Sequence, residues 1–273
     1  MRSSVTVSLV PEARGGPFVF WDQLGEACAQ AASLGFDAIE VFPSGPDDPA
    51  LIILPSLLAQ HSLRLAAMGT GAGWVKHQLT LTNPDPEVFQ RAMSFVKGII
   101  DQAGRLGAPA IIGSMQGRNA PGSDRVPTLL RLKDALTELG DYAAQHQVPL
   151  LLEPLNRYET NLINTVDDGL NLVASLGTTN VKLLVDLFHM NIEETSIPLA
   201  LRAAGATIGH VHFVDTNRRA AGFGHLDYGS VIGILKEVGY KGYLSAEALP
   251  WPDSISAATQ TIAKFKELFP RET

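Results

Sequence analysis

The sequence predicts a single α/β domain over residues 1–273, a (β/α)8 TIM barrel. Three observations predict it. Eight short apolar runs alternate with longer helical patterns along the whole chain. Most of those runs are nearly continuous rather than alternating, the pattern of parallel strands covered on both faces. No Ser/Gly/Pro-rich boundary divides the chain, and its 273 residues match the roughly 250 of a typical one-domain α/β barrel.

The expected strands are 5–10, 38–42, 64–68, 110–114, 149–153, 182–186, 209–214 and 243–247. Between them, Phe89, Ala92, Met93, Val96, Ile99, Ile100, Ala103 and Leu106 form one helical apolar stripe. Leu129, Leu132, Leu136, Leu139 and Tyr142 repeat the spacing. Leu-Gly at 34–35, 106–107 and 176–177, and Gly239, mark expected helix ends, where glycine takes the left-handed position. The pattern is weaker in the second unit (47–60) and the sixth (192–204). An open doubly wound sheet would carry a glycine fingerprint after its first strand, and Pro11-Glu12-Ala13-Arg14-Gly15-Gly16 is not one.

Composition narrows the function classes. Apolar residues make up 45% and charged residues 18%, which excludes a disordered chain. With 21 Lys plus Arg against 28 Asp plus Glu, the net charge is −7, a poor match to nucleic acid. The lone Cys28 forms no intramolecular disulfide. The first nine residues are too weakly apolar for a signal peptide, and the apolar stretch 49–59 is interrupted by Pro55 and too short to span a membrane. A cytoplasmic protein without membrane or nucleic-acid partners is expected. A homo-oligomer, dimer or tetramer, is compatible with the sequence but is not specified by any one stripe.

Chemistry in such a barrel sits at the C-terminal ends of the strands. The fifth expected strand ends at Glu153, the sixth at Asp186 and the eighth at Glu247, while the seventh carries His212 and leads to Asp215. A single strand-end carboxylate is ordinarily an N-cap or a salt-bridge partner. Three carboxylates and an imidazole on successive strands repel one another unless a cation joins them. One divalent ion is the simplest candidate, Mn²⁺ first, with Mg²⁺ or Co²⁺ as alternatives, because oxygen and imidazole donors suit these ions.

Three segments are recognisable together: Glu153-Pro-Leu-Asn-Arg-Tyr-Glu159, Asp186-Leu-Phe-His189-Met-Asn191, and Gly209-His-Val-His212 followed by Asn217-Arg218-Arg219. They resemble the sugar isomerase/epimerase superfamily with a xylose isomerase-like barrel. Within it they are most similar to the ketose 3-epimerases, the D-tagatose, D-psicose (allulose) and L-ribulose 3-epimerase group. The spacings of 33, 26 and 35 residues between Glu153, Asp186, His212 and Glu247 fit that group. The resemblance implies that these four are metal ligands and that Glu153 and Glu247 are also the acid/base pair. It implies that Glu159, His189 and Arg218 bind the sugar, with His189 and Arg218 near the ketose O2.

Epimerisation beside a ketone removes a proton, moves negative charge onto the carbonyl oxygen, and returns a proton on the opposite face. A metal ion and a fixed guanidinium are suited to stabilise that oxygen, and two carboxyls to carry the proton.

Neighbouring residues have plainer readings. His210 is expected to face the helices, away from His212. His225 is expected to anchor the eighth unit or line the mouth, and Asp215 to support the metal or Arg218. Trp21, Trp74 and Trp251 lie near loops that could touch a sugar, and Arg118 is a surface arginine that could meet a phosphate. The chain departs from the group at Ala221-Gly222, where Pro-Gly is usual, and in Leu249-Pro250-Trp251 and Gly113–Arg118, where aromatics are expected. Alternatives on the same barrel are a keto-sugar lyase, deglycosidase or dehydratase, an aldose–ketose or hydroxypyruvate-type isomerase, and a DNA-repair endonuclease with a histidine-rich multi-zinc site.

Overall fold

The structure, a computed structural model, describes residues 1–270. Eight parallel strands follow one another round a closed barrel: β1 Arg2–Ser8, β2 Ala38–Phe42, β3 Arg64–Gly69, β4 Ala110–Ile112, β5 Leu150–Leu152, β6 Val181–Asp186, β7 Ile208–His212 and β8 Tyr243–Ala246. Closure comes from pairing of β1 with β8, Arg2 opposite Tyr243 through Val5 opposite Ala246. A two-residue strip, Phe20–Trp21, adds beside β1. The helices packed outside are α1 Leu24–Leu34, α2 Ala50–Gln60, α3 Pro86–Gly104, α4 Val126–Ala144, α5 Val166–Ser175, α6 Ile197–Ala204, α7 Tyr228–Glu237 and α8 Ser254–Leu268. No helix among the described residues is long and apolar enough to cross a membrane.

The helical stripes bury as their spacing predicts. In α3, Ala92, Met93, Val96, Ile99, Ile100 and Ala103 are buried, and Asp85 caps the start by accepting from the amide of Glu87. Gly35, Gly107 and Gly239 take positive φ as expected. Gly177 does not: α5 ends at Ser175 and leaves through an extended Leu176. The two weak units have physical causes. Helix α2 contains Pro55 and exposes Ile52 and Ile53, so its apolar residues do not form one stripe. The sixth unit is two helices, Leu187–Glu193 and α6, separated where Ser196 caps the second.

Strand alternation divides the barrel lumen. Val5 and Val7 of β1, Ile39 and Val41 of β2, and Leu150 and Leu152 of β5 join the outer core under the helices. Their neighbours therefore face inward. Phe42, Ala67, Ile111, Leu151 and Leu184 form a second, inner apolar cluster with Phe18. Gly69 makes room for Phe42, since a Cβ there would overlap the ring. The other side of the lumen is polar and buried: Ser4, Thr6, Ser8, Glu40, His210, His212 and Ser245.

Candidate metal centre and active site

Four side chains converge at the C-terminal rim. Ligand atoms of Glu153, Asp186, His212 and Glu247 lie within 4.8 Å of one another, and all four residues are buried. Each occupies an inward position at or just past the end of its strand, so the barrel's alternation brings them together. His212 Nδ1 is the hub: it lies 3.1 Å from Asp186 Oδ2, 3.3 Å from Glu153 Oε1 and 3.4 Å from Glu247 Oε2. Asp186 uses its two oxygens separately. Oδ1 accepts from the amides of Phe188 and His189, capping the short helix, while Oδ2 faces the cluster. The plain capping role and the site role thus coexist in one residue. Gly113, inward-facing beyond β4, leaves space for Glu153; a Cβ there would come within 2.7 Å of Glu153 Oε2.

The electrostatics call for a cation. Burial raises the Glu153 carboxyl to about 8, with the carboxylates of Glu247 and Asp186 adding to the shift. Burial opposes the charged form of Asp186 too, but the Arg218 guanidinium and nearby imidazoles hold it below the usual carboxylate range. For His212, burial is outweighed by the carboxylates of Glu247 and Glu40, which raise it well above an ordinary histidine. Glu153 Oε1 is buried with no hydrogen-bond partner. An orphaned carboxylate oxygen among two further carboxylates and one imidazole nitrogen is a donor set fitted to a divalent ion.

Arg218, His189 and Glu159 line a cavity of about 330 Å³ above Glu153 and Glu247. Arg218 has a left-handed backbone, φ 61°. Its side chain contacts Glu247 and lies 3.4 Å from Asp186 Oδ2. Asp215 builds the loop that presents it. Its buried carboxylate accepts from the amides of Thr216, Gly222 and Leu226, and its carbonyl from that of Arg218. Asp215 therefore supports Arg218 and does not enter the carboxylate cluster. His189 Nδ1 accepts from the Asn156 amide at 3.2 Å, which leaves the imidazole proton on Nε2. Burial lowers its pKa to about 3, so the ring is neutral. Nε2 lies 3.0 Å from Arg218 Nη1, so the imidazole and the guanidinium sit side by side in the cavity lining. An oxygen approaching from the cavity could accept from both. Glu159, half-exposed, accepts from Asn156 Nδ2 at 3.1 Å.

His210 is the correction. Residues two apart on a strand share a face, so His210 points inward with His212, and both are buried. Each donates from Nε2 toward Glu40, His210 to Oε2 at 2.6 Å and His212 to Oε1 at 3.0 Å. Glu40 escaped the sequence reading because it sits in mid-strand within Ala-Ile-Glu-Val-Phe; a lone carboxylate in such a run was the available signal. Other residues of the cavity wall were also missed: Phe18, Phe42, Thr70 and Arg14. Of the three tryptophans, Trp74 lines the cavity, whereas Trp21 meets Phe18 edge-to-face and Trp251 lies under Arg219. Arg118 bonds the Tyr158 carbonyl and His225 is exposed; neither lines the cavity.

Residues 28–265 match the family model of the xylose isomerase-like TIM barrel. The chain is 30% identical over 233 residues to an L-ribulose 3-epimerase of Methylomonas sp., covering 84% of this chain and 80% of that one. It is 30% identical over 239 residues to a D-psicose 3-epimerase of Ruminiclostridium cellulolyticum, covering 84% and 81%. Among solved structures, a D-allulose 3-epimerase from Methylomonas sp. in complex with D-allulose superposes with a TM-score of 0.82 at 25% identity, over 98% of both chains. Fold, strand-end cluster and sequence similarity agree: this chain belongs to the xylose isomerase-like TIM barrel family.

Proposed function

We propose that this chain is a divalent-metal-dependent ketose 3-epimerase that inverts C3 of a small, uncharged ketose through an enediolate. The observation that carries the reading is the meeting of Glu153, Asp186, His212 and Glu247 beneath the cavity, with Glu153 Oε1 left without a partner. Similarity to L-ribulose and D-psicose 3-epimerases supports the reaction, and the D-allulose-bound neighbour supports a sugar-sized ligand.

The four residues would hold the ion, Mn²⁺ first, and when bound it would supply a Lewis acid that offsets charge on the ketose oxygens. The protein's own groups divide the remaining work. Neutral His189 and cationic Arg218 stand side by side in the cavity wall, where they could donate to the oxygen that becomes negative. Glu153 and Glu247 stand in unlike environments, one shifted toward its acid form and one against a guanidinium. Such an asymmetric pair can remove a proton with one member and return it with the other. Glu159 contributes a carboxylate to bind sugar hydroxyls. The cavity cations are Arg14, paired with Asp22, and Arg218, committed to the site carboxylates. Among the described residues, neither cavity cation is without a carboxylate partner, which favours an uncharged substrate.

The test is proton exchange. The Mn²⁺-loaded protein is incubated with a panel of ketoses in D₂O, and deuterium at C3 is followed by NMR. Exchange with inversion is expected, and E153Q and E247Q should fold and lose it. Absence of C3 deuterium from every ketose would overturn the reading. Release of an aglycone or a dehydrated product would instead identify a lyase.

A further inference from the structure

Glu40 is the only carboxylate among the buried inward residues of β1 and β2; it does not line the cavity, and nothing in the proposed reaction uses it. It lies on the far side of His212 from the strand-end cluster. The imidazole thus spans two groups of acids: Nδ1 faces Asp186, Glu153 and Glu247, and Nε2 faces Glu40. We propose that Glu40, clamped by His210, is the positioning residue that fixes His212 as a metal ligand through Nδ1. The inference rests on the reading of the four-residue cluster as a metal centre.

The argument is one of donor and acceptor counting. A neutral imidazole has one N–H and one lone pair. To ligate through Nδ1, His212 must carry its proton on Nε2, and that proton needs an acceptor inside a fully buried lumen. Glu40 Oε1 is that acceptor at 3.0 Å. Its second oxygen accepts from His210 Nε2 at 2.6 Å, so the carboxylate cannot turn away. A carboxylate behind a ligating histidine fixes the tautomer, orients the ring and makes Nδ1 a stronger donor. Strand geometry delivers the arrangement. Glu40 lies two residues before Phe42, which faces the lumen, and His210 two before His212.

Glu40, His210 and His212 could also be read as ligands of a second ion, since they too lie close together. Donor counting argues against it. His210 Nε2 and His212 Nε2 already lie at hydrogen-bond distance from the two Glu40 oxygens, 2.6 and 3.0 Å, and a neutral His212 that ligates through Nδ1 carries a proton, not a free lone pair, on Nε2.

The experiment measures metal binding. Wild type, E40Q, E40A and H210Q are stripped with chelator, checked for folding by circular dichroism and thermal unfolding, and titrated with Mn²⁺ by calorimetry. Wild type should bind one ion. E40A should bind about 10- to 100-fold more weakly. E40Q keeps the shape but loses the charge, and should fall between E40A and wild type. H210Q keeps Glu40 and should lie nearest wild type. Histidine-selective ¹⁵N spectra with diamagnetic Zn²⁺ read the tautomer: in wild type the His212 proton resides on Nε2 in a strong hydrogen bond, and E40A should lose that signature. Folded Glu40 variants with wild-type affinity and unchanged spectra would overturn the role of Glu40 while leaving the four-residue centre intact. A wild-type protein that binds two ions would make Glu40 a ligand and overturn it also. One that binds none would overturn the metal centre itself, and this inference with it.

Discussion

Replacing Glu153 with glutamine isolates the electrostatic cost of the site. Burial raises the Glu153 carboxyl to about 8 from an ordinary 4.5. In metal-free protein the native state therefore holds a proton at pH values where the unfolded chain has lost it. The contribution to stability is complete below the unfolded pKa and is lost as pH rises toward the folded one. At about 1.4 kcal/mol per pH unit, the upper limit over that window is about 5 kcal/mol. His212, also raised, loses its share in the same direction, whereas Asp186, lowered, loses its share only as pH falls into the acid range. Glutamine matches the protonated acid in shape and does not titrate. Urea unfolding in chelator should give curves of stability against pH that meet below about pH 4.5 and diverge toward about pH 8, E153Q being the more stable there by up to that limit. Parallel curves for the two proteins would refute the reasoning, because Glu153 would then ionise without penalty in the folded site.

Arg218→Met should lower kcat by about 100- to 1000-fold, as loss of an oxyanion donor does, without weakening Mn²⁺ binding, because the cation removed faces Asp186 and Glu247; steady-state kinetics and calorimetry separate the two effects. Gly113→Ala should press on Glu153 Oε2 and weaken metal binding by about tenfold or more, read by chelator competition. Asp215→Ala removes the acceptor for three loop amides and should cost about 2 kcal/mol in urea unfolding. Because Arg218 depends on that loop, kcat/KM should fall as well. Mn²⁺ affinity should rise with pH, since His212 must give up the proton its acid neighbours favour.

The strand-end residues were legible because each of the three carboxylates follows an apolar strand, as in Leu-Leu-Leu-Glu153 and Leu-Leu-Val-Asp186, and a charge there is conspicuous. The barrel was legible for a related reason: parallel strands covered on both faces need continuous apolar runs. Glu40 was not, because the lumen it enters is polar on one side only, and the same run of five residues places Phe42 in the apolar half. The orientation of His210 needed only the two-residue period, and the expectation that it faces the helices misapplied that period. The cavity wall is different in kind. Arg14, Phe18 and Trp74 come from loops after β1 and β3, and their meeting over Glu153 depends on tertiary folding that no local pattern encodes.

The charge count of the lumen bears on how the two glutamates could differ in the working enzyme. Four buried carboxylates, Glu40, Glu153, Asp186 and Glu247, face one fixed cation, Arg218. A bound divalent ion, with His212 neutral as its ligand, would bring the fixed positive charge to three against those four carboxylates. Low-dielectric surroundings disfavour such an excess, and a proton on one carboxyl removes it. Asp186 is held in its charged form by Arg218, and Glu40 by His212 and His210 despite burial, so the proton falls to the glutamate pair. A glutamate pair that shares one proton is the starting state that the proposed epimerisation would need. If the proposed function holds, Glu40 would then do more than aim a ligand: its buried charge would bias the proton balance of Glu153 and Glu247.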